Sequence, residues 1–133
     1  MSTSKNNGVN IRSGMDKDSL REDIKLHLRP TLAKDEYSAT TWDRYRSVAL
    51  TILDRLHDRM LKTQQHFYKT DAKRVYYLSM EYLIGRLLDN MLVNLDVRDL
   101  VAEALDELDL SYEDIRDQEW DAGLGNGGLG RLA

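Results

Sequence analysis

The sequence predicts an α/β protein in which a helical N-terminal segment leads into the first strand of a sheet that these residues leave incomplete. Three observations predict it. Apolar residues recur at threes and fours through several long stretches, the period of amphipathic helices. One run, residues 75–78, is continuously β-branched, aromatic or apolar, which suits a strand covered on both faces. Five of the eight glycines fall between Gly123 and Gly130, the composition of a backbone device rather than of a helix or strand.

In chain order, residues 1–16 are polar and read as a disordered or loosely docked tail, and residues 17–133 as one truncated domain. Leu20, Ile24 and Leu28 share one helix face, and Pro30, the only proline, ends that helix. The strongest helical stretch opens at Thr40 or Thr41 as N-cap, with Asp43 in its first turn at the positive end of the dipole. Its apolar stripe runs through Trp42, Tyr45, Ala49, Ile52, Leu53, Leu56 and Met60. Arg44, Arg46, Asp54, Arg55 and Asp58 make the opposite, solvent face. After the strand at 75–78, "EYLIGRLLDNMLVNLD" returns to helical spacing with Gly85 inside it, although an interior glycine weakens a helix by roughly 1 kcal/mol. Val97, Leu100, Val101, Ala104, Leu105 and Leu108 form another amphipathic helix. Ser111 and Asp114 open a short acidic one. That makes about five helices and one strand, and a strand of parallel type needs partners for its backbone groups.

Composition excludes several functions. The 133 residues are 41% hydrophobic and 32% charged, with net charge −4 and pI about 5.3. Basic residues are mixed with acidic ones, so no basic stripe invites nucleic acid. There is no cysteine, hence no disulfide or thiolate chemistry. No apolar run approaches the roughly 20 residues that span a bilayer, and the N-terminus has no secretory core. These facts point to a soluble, cytoplasmic protein. His27, His57 and His66 show no metal-ligand spacing, so no metal is expected.

Gly125, Gly127 and Gly130 match the spacing G-x-G-x-x-G. A dinucleotide fingerprint must follow a strand directly, and the preceding "RDQEWDA" is polar. A cradle of backbone amides for an anion is the better reading; a flexible terminus is the plainer one, against which Leu124, Leu129 and Leu132 count. Glu81 follows the strand-like run, where open α/β sheets build sites, or it merely offsets a helix dipole. Gln64, Gln65, His66 and Tyr68 could bond and stack a base, or be an ordinary polar helix end.

"TQQHFYKTDAKRVYYLSMEYLIGRLLDNMLVNL", followed by "DAGLGNGGLGRLA", resembles the N-terminal part of the glycogen (α-1,4-glucan) phosphorylases. The resemblance covers roughly residues 31–133 and is closest over 63–94 and 121–133. It implies a homodimeric glycosyltransferase with Rossmann-like domains and pyridoxal phosphate. That enzyme releases terminal glucose from an α-1,4-glucan with inorganic phosphate as glucose 1-phosphate, its substrate and cofactor phosphates exchanging protons beside an oxocarbenium-like glucosyl group. By resemblance, the amides of Gly127, Gly128 and Leu129 face substrate phosphate and glucose. Asn126, Gly130 and Arg131 shape the loop, and Glu81 sits beneath and fixes it. The family's cofactor lysine has no counterpart here, so these residues by themselves are expected to bind no cofactor and to be inactive. In vertebrate muscle-type relatives an allosteric AMP site matches Asp35, Gln64, Gln65 and Tyr68. Glu36 and Lys62 stand where those relatives place an arginine pair for a phosphoserine, and Ser13 after Arg12 is no convincing phosphorylation segment. Two other readings compete: a dinucleotide-binding module and a non-catalytic helical interaction module.

Overall fold

A computed structural model of the chain describes residues 12–128. Among them are five α-helices and two short strands. They run α1 (Lys17–Leu26), α2 (Thr41–Thr70), β1 (Tyr82–Gly85), α3 (Leu88–Leu95), α4 (Arg98–Asp106), α5 (Tyr112–Arg116) and β2 (Ala122–Leu124). The mixed α/β composition holds, and the protein is mostly helical.

Asp16 caps α1 by accepting from the Ser19 amide. The helix does not stop at Pro30. It widens into a π-turn, His27–Thr31, that contains the proline, and the wider ladder tolerates a residue without an N–H. α2 begins with a capping box: Thr40 Oγ1 accepts from the Asp43 amide at 3.2 Å, and the Asp43 carboxylate accepts from the Thr40 amide at 3.0 Å. Ser111 caps α5 by accepting from the Asp114 amide at 3.2 Å, without the reciprocal bond.

Leu20 and Ile24 of α1, Val48 and Ile52 of α2, Leu92 and Leu95 of α3, Val101 and Leu105 of α4, and Ile115 of α5 close one core. Lys17 and Arg21 bridge to Glu107, tying α1 to α4 across its rim. Tyr112 is buried and donates its hydroxyl to Asp89, whose carboxylate also takes Arg98 Nε at 3.0 Å. The Tyr112 hydroxyl and then Arg98 hold Asp89 below the usual carboxylate range. Burial first, and Asp89 second, push the Tyr112 phenol up to about 12. An unfolded tyrosine titrates near 10. The neutral phenol therefore stabilises the fold fully below pH ~10, and that contribution is lost as pH rises from ~10 to about 12. We expect the stability advantage of the native chain over Tyr112→Phe to shrink across that window in urea melts, and to stay constant below it.

Three further sequence expectations need correction. Residues 75–78 are not a strand: Val75 and Leu78 are 92% and 91% exposed, because no partner strand among the described residues pairs with them. The strand lies instead at Tyr82–Gly85, inside the stretch expected to be helical, and α3 starts only at Leu88. Its partner is antiparallel, with Tyr82 opposite Leu124, Leu83 opposite Gly123 and Gly85 opposite Ala122. Gly85, at φ +78°, ends β1 in the left-handed region that glycine alone enters freely, which is why helical spacing failed there. Finally, Arg55 is not on a solvent face. It is 2% exposed, inside the core side of α2.

Candidate functional site

The glycine turn follows β2 and folds back over β1. Gly125 and Gly127 have φ of +69° and +70°. A β-carbon at Gly125 would lie 2.7 Å from Glu81 Cγ, and one at Gly127 would lie 2.3 Å from Leu83 Cβ. Glycine is thus required twice, for handedness and for the close approach of the turn to β1. Glu81, just before β1, lies against Gly125; Ser79 Oγ accepts from its amide at 3.1 Å. Asn126 is exposed at the crest, Gly127 is buried against Leu83, and Gly128 is open, with no atom within 4 Å of a β-carbon placed there. Among the described residues no hydrogen bond engages the amides of Gly127 and Gly128. Leu129, Gly130 and Arg131 lie outside the described residues. Of the expected site residues, Glu81 meets the turn at Gly125, and Asn126, Gly127 and Gly128 follow one another within that turn.

A β-strand does precede the glycines directly, which a dinucleotide fingerprint requires. It is three residues long and antiparallel to its neighbour, whereas the fingerprint belongs to a parallel βαβ unit.

The segment before β2 is clamped by contacts that the sequence reading missed. The Glu119 carboxylate accepts from the amides of Leu87 and Leu88, both at 2.8 Å. It caps α3, which has no side-chain cap of its own. The one local signal was that unfilled cap. Arg86 pairs with Asp117 at 3.3 Å and Asp121 at 3.5 Å. Trp120 stacks on Trp42 at 5.2 Å between centroids, and Trp42 on Tyr45 at 5.0 Å. Beside the stack, between α2 and the start of α3, runs an apolar groove of about 340 Å³ with Tyr45, Arg46 and Glu119 on its wall. Glu119→Ala leaves two helix N–H groups unsatisfied and should cost about 1 kcal/mol, read as a lower urea midpoint with unchanged slope. No loss would show that solvent replaces the cap.

The four residues expected to hold a nucleotide do not meet within one chain. Asp35 caps its own loop: its carboxylate accepts from the Ser38 amide at 2.8 Å and from the Ser38 hydroxyl at 2.7 Å. The hydroxyl bond is the main reason its carboxyl sits below the usual range. The neighbouring Glu36 carbonyl accepts from Arg44 in the first turn of α2. Gln64, twenty positions along that helix, is then about 30 Å further on. Gln64, Gln65 and Tyr68 do cluster on the last turns of α2. Arg74 folds back over them, 4.5 Å from the Tyr68 ring centroid and 3.4 Å from Gln64 Oε1. Lys62 pairs with Asp58, and Arg12 reaches Asp54 and the buried His27 ring.

A second, polar depression of about 580 Å³ lies between residues 12–14 and α1, with Arg12, Asp18 and Asp23 on its wall. No helix among the described residues is long and apolar enough to cross a membrane.

No family model matches the chain. Curated proteins do. Over 114 residues, 86% of this chain, it is 49% identical to the muscle form of glycogen phosphorylase from Ovis aries and 48% identical to that from Homo sapiens. It is 47% identical to the brain form from Homo sapiens over the same length. The chain spans 14% of the length of each of these relatives. Near-identity at half of the matched positions is far beyond what shared helical periodicity produces, and over 86% of its length this chain is a relative of the glycogen phosphorylases.

Proposed function

We propose that this chain is part of an α-1,4-glucan phosphorylase and supplies the glycine turn that faces the reacting phosphate and glucose. The observation that supports it is the coincidence of that kinship with a turn whose two left-handed glycines, Gly125 and Gly127, press it onto β1. In the reaction, an oxygen of inorganic phosphate bonds to the terminal glucose C1 as the C1–O4 bond breaks. The departing 4-hydroxyl takes up a proton, and glucose 1-phosphate results. Positive charge builds on the sugar ring and negative charge on phosphate. Amide donors held by a rigid ribbon stabilise that phosphate without rearranging during the reaction. Gly127, Gly128 and Leu129 are the proposed donors. Asn126 shapes the turn, and Glu81, packed against Gly125, positions it.

In this reading the complete enzyme is a cytoplasmic homodimer with Rossmann-like domains. It uses pyridoxal phosphate, which supplies a phosphate beside that of the substrate. The cofactor's aldehyde needs an amine, and in this reading the lysine that supplies it, and with it the activity, belongs to the complete enzyme. Nucleotide control through Gln64, Gln65 and Tyr68 belongs to the same proposal, with Asp35 contributing from elsewhere than its own chain's helix end.

The test uses the complete protein. It should release glucose 1-phosphate from glycogen and inorganic phosphate, and Gly128→Ala should lower kcat/KM by about 10²-fold with an unchanged melting temperature. A methyl group at Gly128 meets nothing among the described residues, so a large kinetic loss with an unchanged melting temperature points to contact with ligand rather than to a broken turn. Full activity in Gly128→Ala would remove the turn from the site, and absence of phosphorolysis by the native protein would remove the function.

A further inference from the structure

Asn126 is exposed at the tip of the glycine turn, between Gly125 at φ +69° and Gly127 at φ +70°. Asparagine is among the thermally labile side chains. Its weakness is attack on the side-chain amide carbon by the next backbone nitrogen, and a following glycine has no β-carbon to hinder that approach. Around Asn126 both neighbours are glycines, and Gly128 beyond them has open space. No hydrogen bond or ion pair among the described residues holds the Asn126 side chain. The Gly127 amide, which holds the attacking nitrogen, has no acceptor among them either. Asn90 and Asn94 in α3 are also exposed, but their surroundings differ. Met91 and Leu95 follow them with bulky side chains, and the Met91 amide is committed to the Leu87 carbonyl at 2.9 Å. A nitrogen held in a helical ladder reacts only when the helix opens.

We propose that Asn126 is a site of spontaneous deamidation, a one-way modification that disables the glycine turn. The Gly127 nitrogen gives its proton to hydroxide and bonds to the Asn126 side-chain carbonyl carbon. The bond from that carbon to the side-chain nitrogen breaks, and ammonia leaves with a proton from water. The five-membered imide that remains is opened by water at either carbonyl. One opening gives aspartate. The other gives isoaspartate, whose main chain runs through the side-chain carbon and is one methylene longer. Water enters, ammonia leaves, and nothing is oxidised or reduced. Both products act on the turn. Gly127 rests on β1 so closely that a β-carbon there would lie 2.3 Å from Leu83 Cβ, and a longer chain just before it loses that seat. Aspartate keeps the chain length but sets a carboxylate beside the amides proposed for phosphate, where like charges repel. The loss of activity rests on the function proposed above; the deamidation does not.

The experiment ages the complete protein in warm, mildly alkaline buffer and follows it by peptide mass and by enzymatic methylation of isoaspartate. The sequence holds one other Asn–Gly step, Asn7–Gly8, outside the described residues, and its conversion serves as the internal clock. The peptide containing Asn126 should turn acidic and accept methyl groups with time, while the peptide containing Asn90 and Asn94 stays unchanged. Phosphorolysis should fall in step with isoaspartate at position 126, each modified molecule losing about 10²-fold in kcat/KM, the scale of a displaced site. Asn126→Asp should raise KM for inorganic phosphate at least about tenfold. Asn126→Gln should hold its own starting activity through the incubation, because its longer side chain closes a ring less readily, whereas Asn7→Gln should age as the native protein does. An Asn126 peptide still intact once Asn7 has fully converted overturns the proposal, as does equal conversion of Asn90 and Asn94. Acid at position 126 with phosphorolysis undiminished leaves the modification site standing and removes the turn from the proposed function. Phosphorolysis by a protein that never deamidates at Asn126 does the reverse.

Discussion

Asp23→Ala will destabilise the chain by about 3–5 kcal/mol, the cost of breaking a buried ion pair from one side. Arg55 is 2% exposed, and four of its five N–H donors are used inside the protein. Nη2 bonds the Asp23 carboxylate at 2.7 Å and the Gly14 carbonyl at 2.7 Å, Nε bonds the same carbonyl at 3.0 Å, and Nη1 bonds the Thr51 carbonyl at 2.9 Å. Removing Asp23 leaves a guanidinium in the core with only carbonyl dipoles around it. Burying a charge without its partner is far more costly than losing a surface pair. The measurement is the urea midpoint of the native chain against Asp23→Ala, with Asp23→Leu combined with Arg55→Met as comparison. The double variant should recover much of the loss, since apolar pairs commonly replace buried ion pairs at little cost. It should not recover all of it, because the Gly14 carbonyl then has no donor. A loss below ~1 kcal/mol in Asp23→Ala would show that Arg55 escapes to solvent.

Gly127→Ala will break the candidate site by lifting the turn off β1. The left-handed backbone alone costs a β-carbon about 1–2 kcal/mol. The larger obstacle is the contact with Leu83 Cβ at 2.3 Å, which no rotamer relieves because that atom is bonded to the strand backbone. Gly125→Ala is milder: its nearest neighbour is Glu81 Cγ at 2.7 Å, part of a side chain that can swing away. Gly128→Ala meets nothing. Amide hydrogen exchange at the β1–β2 ladder should therefore accelerate most in Gly127→Ala, less in Gly125→Ala and not at all in Gly128→Ala. Phosphorolysis by the complete protein should be abolished in the first of these. Equal protection in all three variants would mean that the turn does not rest on Leu83.

Much of the helical framework was legible. The Thr40–Asp43 and Ser111–Asp114 caps and the apolar period of α1, α2 and α4 are local properties, set within one or two turns of chain. The strand was not. A continuous apolar run reads as a doubly covered strand only if something covers it. Residues 75–78 have no such cover among the described residues, whereas Tyr82–Gly85 finds a partner in Ala122–Leu124. Arg55 was misread for a related reason. A helical wheel assigns an arginine to solvent, and only a carboxylate 32 positions away makes its burial tolerable. Within the candidate site, the glycines and Glu81 were picked out by composition and by resemblance. Glu119 and the Trp42–Trp120 stack were not: the unfilled cap of α3 does not say which residue fills it, and the stack has no local pattern.

By itself, then, the sequence determined where helices begin, which glycines cluster, and to which enzymes the chain is related. These follow from short-range propensity and from residue identity. Only the tertiary structure decided which strand pairs with which, which charge is buried, what caps α3 and which aromatic ring is held toward solvent. Each of those joins residues between 30 and 80 positions apart, as Glu119 to Leu87 or Trp42 to Trp120. Contacts at that separation are chosen by packing and by the need to satisfy buried polar groups, which no local stretch of sequence expresses.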